Sequence, residues 1–192
     1  MGRPRMLACL AVAWLLAIGT TPARATVVRQ LSLEELTLGA DAIVHGRVVR
    51  TGTQGAARGN PMPFSVARIE VIEWIAGDDP QPAIVVREPG ARWAGRAVTM
   101  GGVPRYREGD EVLVFLARRG PHYRTYGLAQ GAFFIGNDAD GSQPPPARRR
   151  LTELSYLEEG PDGGKLAPAQ PDLPAALPAL LSTIRTLASY RP

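Results

Sequence analysis

From Asp41 to Arg50 the side chains alternate, with Ala42, Val44, Gly46 and Val48 on one side and Ile43, His45, Arg47 and Val49 on the other. A period of two predicts a β-strand, with His45 as a surface residue on its polar side. Gly46 in mid-strand predicts a bulge or sharp bend. A polar, glycine-rich loop runs from Thr51 to Pro63. The longest predicted strand is Phe64 to Ile75, where Ala67, Ile69 and Val71 alternate with Arg68, Glu70 and Ile72; its phase slips at Glu73-Trp74-Ile75, which predicts a bulge with Trp74 in the core. The turn Gly77-Asp78-Asp79-Pro80 follows. Ala83 to Glu88 is a third strand, stopped by Pro89-Gly90, and Arg96 to Met100 a short further one before Gly101-Gly102. Glu111 to Ala117, with the unbroken apolar run Val112 to Leu116, reads as a central, buried strand. His122 to Leu128 and Ala132 to Ile135 complete the series. About five to seven short strands joined by closely spaced turns predict a mainly β domain, a small barrel or sandwich.

Helical patterns flank the strands. Ser32-Leu33-Glu34-Glu35 fits a capping box, so a short N-terminal helix is expected over about Leu33 to Thr37, with Gly39 as the left-handed residue that ends it. Near the other end Leu177, Leu180, Leu181, Ile184, Leu187 and Ala188 fall at helix spacing. A C-terminal helix is expected from about Ala175 or Ala179 to Tyr190, with Pro174 and Pro178 tolerable only in its first turn. Between strands and helix the composition shifts: nine of the 18 prolines lie between Pro144 and Pro192. Gly136 to Pro146 predicts a mobile loop and Gly160 to Pro171 a linker, while Leu151 to Leu157 is a short strand returning to the barrel.

The first 25 residues carry the parts of a secretory signal in order: basic Met1 to Arg5, the apolar run Met6 to Ile18, and the small-residue exit Ala23-Arg24-Ala25. The run is shorter than the roughly 20 residues a spanning helix needs, so the reading is cleavage near Ala25, no integral membrane segment afterwards, and a secreted or periplasmic product. Cys9 stands at the start of the apolar run and not after it, which argues against lipidation there. Cleavage would leave 167 of the 192 residues and remove Arg3, Arg5 and Arg24, so that 19 basic residues face 18 acidic ones. That near-neutral balance gives no support to a nucleic-acid partner. Cys9 is the only cysteine, so the mature domain would rely on its core alone, with thiol catalysis, thiolate metal sites and disulfides all excluded. The resulting division is a signal peptide 1–25, a β-barrel domain 26–135, a proline- and glycine-rich flexible segment 136–172 with the short strand at 151–157, and a helix 173–192.

The order Leu31-Ser32-Leu33-Glu34-Glu35-Leu36, Ala40-Asp41-Ala42-Ile43-Val44-His45-Gly46-Arg47-Val48, Ile75-Ala76-Gly77-Asp78, Pro89-Gly90, Pro104 to Leu116 and Tyr126 to Phe133 resembles a family of uncharacterised exported bacterial proteins over about residues 31 to 135. More distantly the layout resembles the netrin-like barrel of tissue inhibitors of metalloproteinases, an OB-type fold. The resemblance implies an OB-like barrel and an inhibitor-like or protease-associated role. In those inhibitors a disulfide-tethered N-terminal cysteine sits on the protease zinc; here the expected mature start is Thr26-Val27-Val28, which offers only an α-amine, a hydroxyl and a carbonyl.

No sequence motif names a reaction. His45 and His122 are the only histidines, and their spacing favours no zinc site, so no metal, cofactor or catalytic residue is assigned. The acid pairs Glu34/Glu35, Asp78/Asp79 and Glu158/Glu159 fall at caps, turns and linkers, where solvated carboxylates are the rule. No nucleophile elbow or phosphate loop is present. Arg148-Arg149-Arg150 with Arg118-Arg119, Arg105 and Arg107 could form a basic face, which keeps a polyanion-binding envelope protein as one alternative. A small hydrolase assembled from distant polar residues is the other. The favoured expectation is a non-enzymatic exported binding module whose partner, a protein or a cell-envelope polymer, meets loops 51–63 and 89–103. Thr26, Arg92, Trp93, Arg96 and Arg105 are its candidate contacts, with Trp93 as the exposed recognition residue.

Overall fold

The computed structural model describes residues 26–56, 62–136, 143–151, 153–158, 165–170 and 174–191. The expected signal segment 1–25, residues 57–61 of the expected 51–63 loop, residues 137–142 of the expected mobile loop, residues 160–164 and 171 of the expected linker and residue 173 of the expected helical segment lie outside the described residues, and residues 51–54 of the 51–63 loop belong to a strand.

Among the described residues the chain is mainly β, with two α-helices. Its strands are β1 (Thr26–Val28), β2 (Ala42–Gln54), β3 (Phe64–Ala76), β4 (Ala83–Pro89), β5 (Ala91–Trp93), β6 (Arg96–Val98), β7 (Glu111–Arg119), β8 (His122–Thr125), β9 (Ala132–Ile135), β10 (Pro146–Arg149), β11 (Leu154–Glu158), β12 (Lys165–Pro168) and β13 (Ala175–Ala176); the helices are α1 (Leu33–Gly39) and α2 (Leu177–Ala188).

The main sheet runs β13-β10-β9-β7-β2-β3-β4-β8, and an additional pairing of β7 with β8 closes five of its strands into a cycle. All neighbours in the cycle are antiparallel except β4 and β8, which meet in parallel through Val86 and Tyr123. One half of β7 pairs β9 and the other half β8. Inside the cycle the inward positions of all five strands form one core, among them Val44, Ile69, Val86, Val114, Leu116 and Tyr123. The other sides of β2, β7 and β9 form a second core, where Ile43, Leu113, Phe115 and Phe133 meet Leu36 of α1 and the leucine face of α2. An apolar run such as Val112 to Leu116 is what a strand buried on both faces requires.

Local chemistry explains most element boundaries. Ser32 Oγ accepts the Glu35 N–H at 3.1 Å and Glu35 Oε2 accepts the Ser32 N–H at 2.8 Å, the reciprocal cap expected from the sequence. Pro178 sits in the first turn of α2, where its missing N–H has no helical acceptor to lose. The predicted irregularities in β2 and β3 are present: the β2–β3 register shifts between Ile43 and Val44, between His45 and Gly46, and between Val48 and Arg50. A Cβ at Gly46 would lie 2.7 Å from Ile69 Cγ2 and press on the Glu70 carbonyl, so the bend needs glycine for close approach. Trp74 is half-buried against the inner core, and its indole N–H donates to the Gly77 carbonyl at 3.1 Å.

Several expectations need correction. Gly39 is not left-handed; its bare Cα makes room for the Tyr126 ring, whose Cζ would be 2.7 Å from an added Cβ. His45 is buried, because both faces of β2 are covered. Residues 151–157 do not rejoin the main sheet. Instead β11 pairs in parallel with β1 and antiparallel with β12, forming a separate three-stranded sheet that turns 165–168 of the expected linker into a strand. Leu151 and Leu154 sit with Ala129 in a small third core. The main sheet also continues past residue 135, through β10 and β13. Among the described residues no helix is long and apolar enough to cross a membrane.

Candidate functional site

Where β4 leaves the closed cycle, Gly90 takes a positive φ of 93° and its N–H donates to the Pro63 carbonyl at 2.8 Å, forming a bridge beside Phe64. This ties the start of β3 to the short hairpin of β5 and β6. Between them lies a cleft of about 360 Å³. Thr53 at the end of β2 and Ser65 at the start of β3 form one wall; the segments 89–92, 97–100 and 103–106 form the rest. The lining therefore combines two arginines, the hydroxyl-bearing Thr53, Ser65 and Thr99, and the apolar Met100 and Val103, and among the described residues it includes no Asp or Glu.

The five candidate contacts separate. Arg92 and Arg105 both line the cleft. Trp93 and Arg96 pair with each other across the hairpin and stay outside the lining. Trp93 is 47% exposed, yet one side of its indole lies directly on Gly55, where any Cβ would collide with the ring; it fastens the hairpin to the end of β2. Thr26 donates its backbone N–H to the Glu153 carbonyl at 3.0 Å and its hydroxyl to the Gly101 carbonyl at 2.7 Å, so it is bound into β1 beside the cleft segment and does not line the cleft.

Tyr106 and Glu88 escaped sequence reasoning. Half-buried Tyr106 lines the cleft, and its hydroxyl lies 2.6 Å from Thr125 Oγ1. The backbone N–H of Thr125 donates to Glu88 Oε1 at 2.7 Å, and Glu88 is 1% exposed. Its Oε2 has no hydrogen-bond partner, and Arg124 Nε stands 3.8 Å away. Burial raises the Glu88 carboxyl to about 7, outweighing the hydrogen bonds from Thr125 and the Arg124 charge. Burial, with Glu88 adding to it, also pushes the Tyr106 phenol well above its ordinary value. Only the alternation Ile84, Val86, Glu88 along β4 pointed to this carboxyl as an inward residue.

The remaining polar clusters are spoken for by the fold. His45 Nε2 lies 2.9 Å from Glu111 Oε1, while Arg47 donates to Glu111 Oε2 at 2.8 Å; neither described cavity is lined by the pair. Half-buried His122 is held below its ordinary pKa by burial and by Arg87. A second hollow, of about 420 Å³, lies between the end of β3 and α2. Its cations are engaged: Arg185 grips Glu73 with two hydrogen bonds of 2.9 and 2.7 Å, and Arg191 donates to the Ala40 carbonyl. Of the arginine run, Arg149 and Arg150 lie over the Phe133 and Phe134 rings, 5.4 and 3.7 Å from their centroids, and Arg150 also pairs with Asp110, while Arg148 is exposed. Among the described residues no three His, Cys, Asp or Glu side chains converge as a metal site would require. Comparison with protein-family models, with curated proteins and with solved structures finds no match.

Proposed function

We propose that the chain is an exported, non-enzymatic binding module of OB-like form, whose protein or envelope-polymer partner meets the 51–63 and 89–103 segments. The observation that carries this reading is the cleft, which is lined by Thr53 of the first segment and by 89–92, 97–100 and Val103 of the second and brings arginine, hydroxyl-bearing and apolar residues together. The closed order β7-β2-β3-β4-β8 supports an OB-type barrel, a five-stranded form that binds through the loop joining its first two strands and neighbouring loops. Export rests on the 1–25 pattern alone. A netrin-like, protease-inhibiting version rests only on the layout of residues 31–135, and Thr26, bound into β1, already commits its N–H and hydroxyl to the Glu153 and Gly101 carbonyls. The hydrolase reading has its nearest material in His45 and Glu111, which line neither of the two cavities described above.

The test is cross-linking of the exported protein in its native envelope or medium, compared with Thr99→Trp, which fills the cleft from an exposed loop. A partner captured by the native chain and lost in the variant is expected. Capture unaffected by the variant would remove the cleft from the interface. Inhibition assays against secreted metalloproteases test the narrower version, and no inhibition at high molar excess rules it out.

A further inference from the structure

Resting on that reading of the cleft, we infer that its partner is a protein segment that inserts a carboxylate between Arg92 and Arg105 and an adjoining apolar side chain against Met100 and Val103. Some surface arginines are matched by acids of the same chain, Arg47 by Glu111, Arg118 by Asp79, Arg150 by Asp110 and Arg185 by Glu73, while Arg50, Arg68, Arg107, Arg119 and Arg148 stand exposed without an ion pair among the described residues, each outside the cleft lining. Arg92, Arg96 and Arg105 likewise form no ion pair among the described residues, and what sets Arg92 and Arg105 apart is their shared place in the cleft lining. Among the described residues that lining includes no Asp or Glu. A planar guanidinium is shaped to hold a carboxylate through two parallel hydrogen bonds, and two arginines lining one hollow make an acid the complementary guest.

Size and surroundings favour a peptide over a polymer. A volume of about 360 Å³ admits one or two side chains and not a polymer track. Around it stand Arg92, Trp93, Met100 and Arg105, with Trp93 and Met100 47% and 37% exposed. Arginine, tryptophan and methionine are the residue types enriched where proteins meet proteins. A polyanion would need a row of cations along one track, whereas the cleft lining holds only the two arginines Arg92 and Arg105.

Selection of a random dodecapeptide phage library on the purified protein tests this, with the winning sequence then made as a synthetic peptide. The expected winners carry Asp or Glu beside an apolar residue, bind more weakly as salt rises, and lose at least tenfold in affinity to Arg92→Ala/Arg105→Ala and when their acid is changed to its amide. Winners without acids, or with affinity unmoved by the arginine substitutions, overturn the acidic-segment proposal. If such winners still fail on Thr99→Trp, the cleft remains the binding site and only its ligand chemistry is wrong. Winners indifferent to Thr99→Trp as well, or no winner above background, overturn the cleft reading too. Both arginines are exposed, and circular dichroism of each variant checks that it folds.

Discussion

Glu88 is the residue whose chemistry is most at odds with its surroundings. It follows Ile84 and Val86 into the interior of the closed cycle, and its Oε1 accepts the Thr125 N–H across the β4–β8 seam, where the backbone ladder is represented by Val86 and Tyr123 alone. The side chain thus does part of a strand's work. A carboxyl at about 7 in the folded chain against an ordinary 4.5 binds its proton more tightly folded than unfolded. Its contribution is therefore fully present below the ordinary value and is lost as pH rises through about 7. The full difference corresponds to on the order of 3 kcal/mol. Glu88→Gln keeps the acceptor for Thr125 and cannot ionise, so denaturant unfolding at pH 5 and pH 8 should show native stability falling with pH relative to the variant; parallel curves would dismiss the effect. Gly39 makes a second residue-scale prediction. Gly39→Ala places a methyl against the Tyr126 ring and should cost about 1–3 kcal/mol in chemical denaturation, whereas a helix-ending glycine of right-handed φ with open space around it would gain from alanine. The sequence pointed to glycine there but not to the reason, since Tyr126 lies far along the chain and reaches Gly39 only in three dimensions.

At the scale of elements, legibility followed length and locality. β2, β3, β7, α1 and α2 were readable because each carries a full period of its own pattern or a complete cap within a few residues. β1, β5 and β6 hold three residues each and β13 two, too few to display any period, and they exist because a partner strand supplies their hydrogen bonds. The return of 151–157 was visible as apolar residues, but its destination depended on β1, over a hundred residues earlier. The cleft was half legible for the same reason. Irregular, glycine-rich stretches announced loops, and Arg92 and Arg105 stood out in them; Thr53, Ser65 and Tyr106 joined only through the Phe64–Gly90 bridge. Two substitutions test the elements themselves. Ser32→Ala should cost about 1 kcal/mol by removing one half of the cap of α1. Ile184→Ala, at a fully buried point of α2, should cost about 2–5 kcal/mol, and a loss below 1 kcal/mol would mean that α2 is not packed on the sheet as described.

For the whole molecule, the seam is the natural place to open. The β2–β3 ladder runs from Ile43 to Gln54, while β4 and β8 meet at one pair and one side-chain bond. Native-state hydrogen exchange should be fastest, among the cycle's strands, at β8 and slowest at the centre of β2 and β7, with faster β8 exchange at pH 8 than the intrinsic rate change explains. Uniform protection around the cycle would contradict this.

β2 and β7 each face two cores at once, one inside the cycle and one beneath the helices. They are party walls. A strand shifted to accommodate a larger side chain on one side withdraws support on the other, so tolerated volume changes at Val44 or Val114 should come coupled to changes at Ile43 or Phe115. Any effort to enlarge the interior, or to repack the helices, has to redesign both rooms together.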